Sequence, residues 1–134
     1  MDLYYRDRYW NDHPLVVEYL NRRATGAPHP GWMHHLLAQH GGRPFRRALV
    51  LNCGNGWVER DLARLGVIEA AIGIDIAPEL VAQAASAAAR DGIAARYEIA
   101  DIDSYEIADD VDLVVNHAAG HHITRLDTVF RRIA

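Results

Sequence analysis

Residues 48–57 read Ala48-Leu49-Val50-Leu51-Asn52-Cys53-Gly54-Asn55-Gly56-Trp57: an apolar run, a short polar loop with two glycines, and the start of an amphipathic segment. The apolar run is what a strand buried on both faces requires. The segment after the loop, residues 57–65 (WVERDLARL), sets Val58, Leu62 and Leu65 on one helical face and stops at Gly66. A glycine turn between a strand and a helix lets backbone approach a ligand closely, because no Cβ intervenes. The helix start adds unpaired N–H groups and the positive end of the helix dipole. Taken alone, Gly-x-Gly is equally a tight strand-to-helix turn.

Downstream, strands and helices alternate. Residues 70–76 (AAIGIDI) form a second strand, and residues 78–90 an Ala-rich helix with Pro78 in its first turn and Gly92 past its end. Residues 95–99 are a third strand, residues 111–116 (VDLVVN) a fourth, and residues 124–134 a last helix. Upstream, residues 14–23 (PLVVEYLNRR) read as a helix with Leu15, Val16, Tyr19 and Leu20 on one face, broken by Gly26, Pro28 and Pro30. Residues 31–40 are a second short helix stopped by Gly41 and Gly42. The chain divides into an N-terminal helical arm, residues 1–45, and an α/β unit, residues 46–134. The alternation predicts an α/β three-layer sandwich, with a parallel sheet covered on both faces and right-handed crossovers. Ligands of such sheets sit at the carboxyl ends of the strands, where strand order reverses.

The bulk properties narrow the function. A chain of 134 residues allows one domain, and 50% hydrophobic content supplies a core. The net charge is −4, and all the basic residues are arginine, in doublets such as Arg46-Arg47 and Arg131-Arg132 and not in a stripe. That balance carries no electrostatic footprint for nucleic acid. Cys53 is the one cysteine, which excludes an intramolecular disulfide and suits a reducing, cytoplasmic setting. No basic-then-apolar leader opens the chain, and no apolar stretch approaches a membrane span, so no membrane partner is expected.

Four places carry candidate chemistry. The first is the loop itself, Asn52, Cys53, Gly54 and Gly56. The second is Asp75, with Ile76, about 20 residues beyond the loop, the spacing at which a carboxylate can accept hydrogen bonds from ribose hydroxyls. It is equally an acid at the N-terminus of the helix that begins at Pro78. The third is Asp101, with Ile102, after the third strand. Its carboxylate can accept from an adenine amino group, or can be one of several solvated acids with Asp103, Glu106, Asp109 and Asp110. The fourth is Asn116-His117-Ala118-Ala119-Gly120-His121-His122, after the fourth strand. Four features at corresponding strand ends are far more specific together than singly.

In these segments the sequence resembles the class I S-adenosylmethionine-dependent methyltransferases, which have a Rossmann-like fold. RALVLNCGNGWVERDLARLG looks like their first motif, GIDIAPELVAQAASAAARDG like the ribose-binding segment, YEIADIDSYEI like the adenine segment, and DLVVNHAAGHHI like the fourth-strand motif. The resemblance runs from about Arg46 onward. It implies a sheet in the order 3-2-1-4. It also implies S-adenosylmethionine as cofactor: Gly54 and Gly56 approach its methionine part, Asp75 binds the ribose, Asp101 and Ile102 frame the adenine, and Asn116 lies near the sulfonium. The implied activity is methyl transfer to a small molecule. Tyr9 and Trp10 would close over the cofactor, or pack as part of the arm. Two departures stand out. Val50 and Asn52 occupy places where the family often has an acid and a glycine, although Asn tolerates left-handed backbone well. Four strands are legible where the family has seven, as though the chain were truncated after the fourth. This leaves a second reading, a non-catalytic cofactor-binding module completed by dimerisation or by a partner chain at the open edge of the fourth strand. A nicotinamide-binding domain is a weaker third, because Glu59 stands where Gly-x-Gly-x-x-Gly needs its last glycine.

His117 and His122 are the candidate general bases, needed only where the acceptor must lose a proton. His117 and His121 have the i,i+4 spacing of metal ligands, but no further ligands are identifiable, so no metal is expected. Cys53 reads as a small apolar filler, Trp57 as a cover for the sheet or the cofactor edge, and Arg60 as solvated.

Overall fold

The protein is described by a computed structural model covering residues 13–134. Tyr4, Tyr5, Tyr9 and Trp10 lie outside the described residues. Contacts divide the chain into two compact units, one ending at Arg43 and the other Pro44–Ala134.

The first unit holds α1 (Pro14–Thr25) and α2 (Trp32–Gln39). Pro14 opens α1 behind the His13 ring, which accepts from the Leu15 N–H at 3.3 Å. Gly26, at φ 82°, closes α1 through a bond from its N–H to Arg22 O. The apolar face expected on α1 is not its buried face. Leu15, Tyr19 and Leu20 are exposed, and the buried residue is Asn21, whose amide donates to Pro28 O at 3.0 Å.

The second unit is built on β1 (Phe45–Leu51), β2 (Ile68–Asp75), β3 (Ala95–Ile99) and β4 (Leu113–Val115). They form one parallel sheet in the order β3-β2-β1-β4. Between them lie α3 (Trp57–Arg64) and α4 (Pro78–Arg90), with a 3-10 turn at Gly120–His122 and α5 (Leu126–Ile133) after β4. This is the Rossmann-like sandwich. Alternate residues of a strand face opposite layers. Leu49, Leu51, Ile72 and Ile74 point to one face, where Ile102, Ile123 and Val129 of α5 complete a buried cluster. Ala48, Val50, Ala71 and Gly73 point to the other, under α3 and α4.

β4 is shorter than residues 111–116 suggest. Below it, the Asp112 carboxylate accepts the N–H groups of Arg46 at 2.9 Å and Arg47 at 2.8 Å, so a side chain takes donors that another strand residue would have paired. Desolvation works against the Asp112 carboxylate, but the Arg47 and Arg46 N–H groups outweigh it and hold the carboxyl below its ordinary value. No helix among the described residues is long and apolar enough to cross a membrane.

Candidate functional site

The loops after β1, β2 and β4 meet at the carboxyl end of the sheet. The β1 loop turns on three left-handed residues, Asn52 (φ 51°), Gly54 (φ 56°) and Gly56 (φ 72°). Asn52 adopts the conformation that its residue type tolerates. Cys53 N–H extends the sheet by donating to Ile74 O at 2.9 Å, and Gly56 N–H closes the turn on Cys53 O at 3.0 Å. Arg60 is not solvated. Its guanidinium donates to Asn55 O at 2.6 Å and lies 3.6 Å from Asp91, tying the loop to its helix.

Asp75 holds this loop from β2. One carboxylate oxygen accepts the Gly54 N–H at 2.9 Å and the other the Ala77 N–H at 2.9 Å. A carboxylate offers about four lone-pair sites. With two taken by backbone, two remain for hydroxyl donors. The next residue, Ile76, is 71% exposed and presents a bare apolar surface beside that carboxylate.

Past β3, the structure gives Asp101 and Ile102 different surroundings. Asp101 is exposed and closes its own turn, accepting from the Asp103 N–H at 2.9 Å. Ile102 is 7% exposed and belongs to the core under α5. Past β4, Asn116 has a buried side-chain oxygen with no hydrogen-bond partner among the described residues. The Asn52 amide reaches across to Ala119 O at 3.4 Å, joining the β1 and β4 loops. The His117 ring stands edge-on to Trp57, with centroids 5.0 Å apart at 88°. Burial pushes its pKa down, against a backbone hydrogen bond that raises it, so the imidazole is neutral near pH 7. His122 is exposed, and its ring lies 4.0 Å from that of His121. No group of three or more metal-ligating side chains occurs among the described residues.

Below the loop sits a polar cluster that the sequence reading missed. Glu59 is 0% exposed, and neither carboxyl oxygen has a hydrogen-bond partner among the described residues; the Tyr97 hydroxyl is likewise unpartnered. Leu65, expected on the buried face of α3, is exposed, and Glu59 is buried with Val58 and Leu62. Desolvation pushes the Glu59 pKa up to about 7, although its own backbone N–H, Arg60 and Cys53 oppose the shift. Burial, with the Glu59 and Asp75 carboxylates, also pushes the Cys53 thiol far up, so Cys53 is no nucleophile at neutral pH. A signal was present in the sequence: Glu59 is three residues before Leu62, hence on the same helical face, and Gly73 leaves a gap in β2 to receive it.

Residues 48–134 match a protein family described as methyltransferase domain. The chain belongs to that family. Among solved structures, this methyltransferase-family chain is similar to an S-adenosylmethionine-dependent methyltransferase from Mesorhizobium loti (27% identity, TM-score 0.63, covering 76% of this chain and 45% of that one). It is also similar to the YcgJ protein from Bacillus subtilis (26% identity, TM-score 0.58, 75% and 44%). A Geobacter sulfurreducens S-adenosylmethionine-dependent methyltransferase, solved with S-adenosylhomocysteine, shares the fold at 23% identity (TM-score 0.60, 75% and 42%). The chain therefore spans less than half the length of these structures. No curated protein sequence matches it. The cofactor class read from the sequence, S-adenosylmethionine, is the one that the descriptions of the Mesorhizobium and Geobacter proteins carry.

The residues present fit that cofactor. A Cβ built on Gly54 would meet nothing within 4 Å, so open space lies over the loop. Asp75 keeps acceptor sites for a diol, and Ile76 offers an apolar surface to a base.

Proposed function

We propose that this chain binds S-adenosylmethionine at the carboxyl ends of β1, β2 and β4, and that its methyl group passes to a small molecule. Asp75 carries the reading. Its carboxylate is oriented by the Gly54 and Ala77 N–H groups, and by lone-pair count each oxygen can accept one more hydrogen bond. Ribose hydroxyls would satisfy it, the adenine would lie against Ile76, and Gly54 and Gly56 would let the methionine part approach the backbone. Asp101 stands at the outer rim, and the burial of Ile102 supports a packing role under the adenine side of the crevice in place of direct contact.

When bound, the sulfonium supplies an electrophilic methyl group. The chain's residues contribute proximity and alignment, the main sources of rate in such a displacement. Asn116 would accept a hydrogen bond from an amine or hydroxyl of the acceptor through its unpartnered oxygen. His117, neutral at pH 7, would take the acceptor's proton where one must leave; His122, exposed on the 3-10 turn, would do so only for an acceptor entering from solvent. The lone, buried Cys53 is compatible with a reducing cytoplasmic setting. Calorimetric titration with S-adenosylmethionine is expected to show one saturable site. Absence of heat contradicts the reading.

A second reading is supported by β4, whose outer edge pairs with no strand among the described residues. An open edge of this kind recruits another strand. On that reading the chain is a cofactor-binding module completed by a second copy or by a partner chain. Sedimentation of a dimer, with cofactor binding but no turnover over a panel of small acceptors, would favour it; a stable, active monomer would exclude it.

A further inference from the structure

Glu59 contacts neither the cofactor crevice nor the acceptor side, yet two glycines of the fold make room for it and for Tyr97. Gly73, in the middle of β2, has no room for a side chain: a Cβ there would overlap the Glu59 carboxyl and come within 2.6 Å of the Tyr97 ring. A Cβ on Gly56, the last residue of the loop, would lie 2.6 Å from the Tyr97 hydroxyl and 2.8 Å from Ala84 Cβ. Two glycines thus make space for a carboxyl and a phenol directly under the cofactor loop. Both carboxyl oxygens are buried and have no hydrogen-bond partner within ordinary hydrogen-bond geometry among the described residues. A buried carboxylate with so few donors is costly, so it takes up a proton unless a positive charge nearby favours the ionised form.

The groups around it narrow what can fill it. Cys53 faces it from the loop and Tyr97 from β3, and neither is ionised at neutral pH. Asp75, at the end of β2, adds negative potential to the same loop, as its effect on Cys53 shows. Arg60, on the same helix, acts on both Glu59 and Tyr97, while its guanidinium is also held by Asn55 O and lies near Asp91. From α4, Ala84 packs against Gly56.

We propose that Glu59 is a counter-charge beneath the loop, through which the site favours a sulfonium cofactor over its neutral thioether product. This rests on the cofactor reading above and deepens it. A cation in the crevice stabilises the ionised carboxylate across the low-dielectric layer of Cys53 and Gly56; a neutral ligand does not. Because the group titrates near pH 7, capture of the cation is coupled to release of the Glu59 proton. Affinity for the cation therefore rises as pH increases through 7, and affinity for the product does not. Once the methyl group has left, the positive charge is gone, the carboxyl recaptures a proton, and the product loses its electrostatic hold. Glu59 acts here as a positioning and specificity residue and touches no reacting atom.

The test is calorimetry of the whole chain with S-adenosylmethionine and S-adenosylhomocysteine, in two buffers of different ionisation enthalpy, at pH 6, 7 and 8. The two ligands share every ionisable group, so their difference isolates the sulfonium. The expected result is several tenths of a proton more released by S-adenosylmethionine at pH 7, and an affinity ratio that rises about five- to ten-fold from pH 6 to pH 8. Glu59→Gln should flatten that ratio while leaving product affinity within about two-fold. His117→Gln should keep the pH dependence; its loss there, with retention in Glu59→Gln, overturns the assignment. Heat from both ligands with equal proton release also overturns the counter-charge, and does so in the wild-type chain, whatever the variants do. No heat from either ligand removes the cofactor reading itself, and the counter-charge with it.

Discussion

On the β1–β2 side the loop that lines the crevice is tied down, although the Glu59 carboxyl beneath it is not: the Asp75 carboxylate accepts from Gly54 and Ala77, and Arg60 ties Asn55 to the helix. On the β4 side, Asn116 keeps an unpartnered oxygen, Ala118 is held at a positive φ of 55°, and His121 and His122 are exposed. The first side is preorganised, so little conformational entropy is left to lose when a ligand arrives. The second side has donors and acceptors still to be satisfied. The difference suits a division of labour in which one side grips a cofactor of fixed shape and the other meets the acceptor.

Substitutions on the two sides should separate accordingly. The largest effect is expected from Gly73→Ala, which forces a methyl group into the Glu59 carboxyl and the Tyr97 ring and should cost about 3 kcal/mol, read as a lower Tm or denaturation midpoint. Asp75→Ala removes two charge-assisted bonds from the preorganised side. It should weaken S-adenosylmethionine binding by about ten- to a hundred-fold and cost about 2–3 kcal/mol of stability. Glu59→Gln gives a pH-dependent effect. The folded-state pKa is raised from 4.5 to about 7, so the group's stabilising contribution is full below about 4.5 and is lost as pH rises through 7. The stability of the variant relative to wild type should therefore rise by about 2 kcal/mol from pH 5 to pH 8. The smallest effect belongs to the β4 side. Asn116→Ala deletes an oxygen that has no partner, so stability should change by under about 1 kcal/mol, with turnover and not cofactor affinity taking the loss. Equal losses of cofactor affinity in Asp75→Ala and Asn116→Ala would erase the contrast between the two sides.

The central strands β1 and β2 were legible because they are largely buried and carry continuous apolar runs; α4 and β3 also fall at the expected residues, 78–90 and 95–99, although β3 is partly exposed. The strand order came through the resemblance, since hydrophobic pattern alone does not order parallel strands. The ends of elements were less legible where side chains replace backbone partners, as Asp112 does below β4. The apolar stripe of α1 misled because helical periodicity reports a face and not what covers it, and the buried position went to Asn21. In the site, Asp75 stood out by its spacing. Glu59 did not, because a charged residue on a helix is read as solvated unless the facing strand is examined for a gap, here Gly73.

The central claim is that the crevice gripped by Asp75 is an S-adenosylmethionine site. Side-by-side calorimetric titration of the wild-type chain and Asp75→Ala with S-adenosylmethionine tests it most directly. One saturable site in the wild type, weakened at least about ten-fold in the variant while circular dichroism shows the sheet intact, is the predicted result. No binding by the wild type, or the same affinity in a folded Asp75→Ala variant, would contradict it.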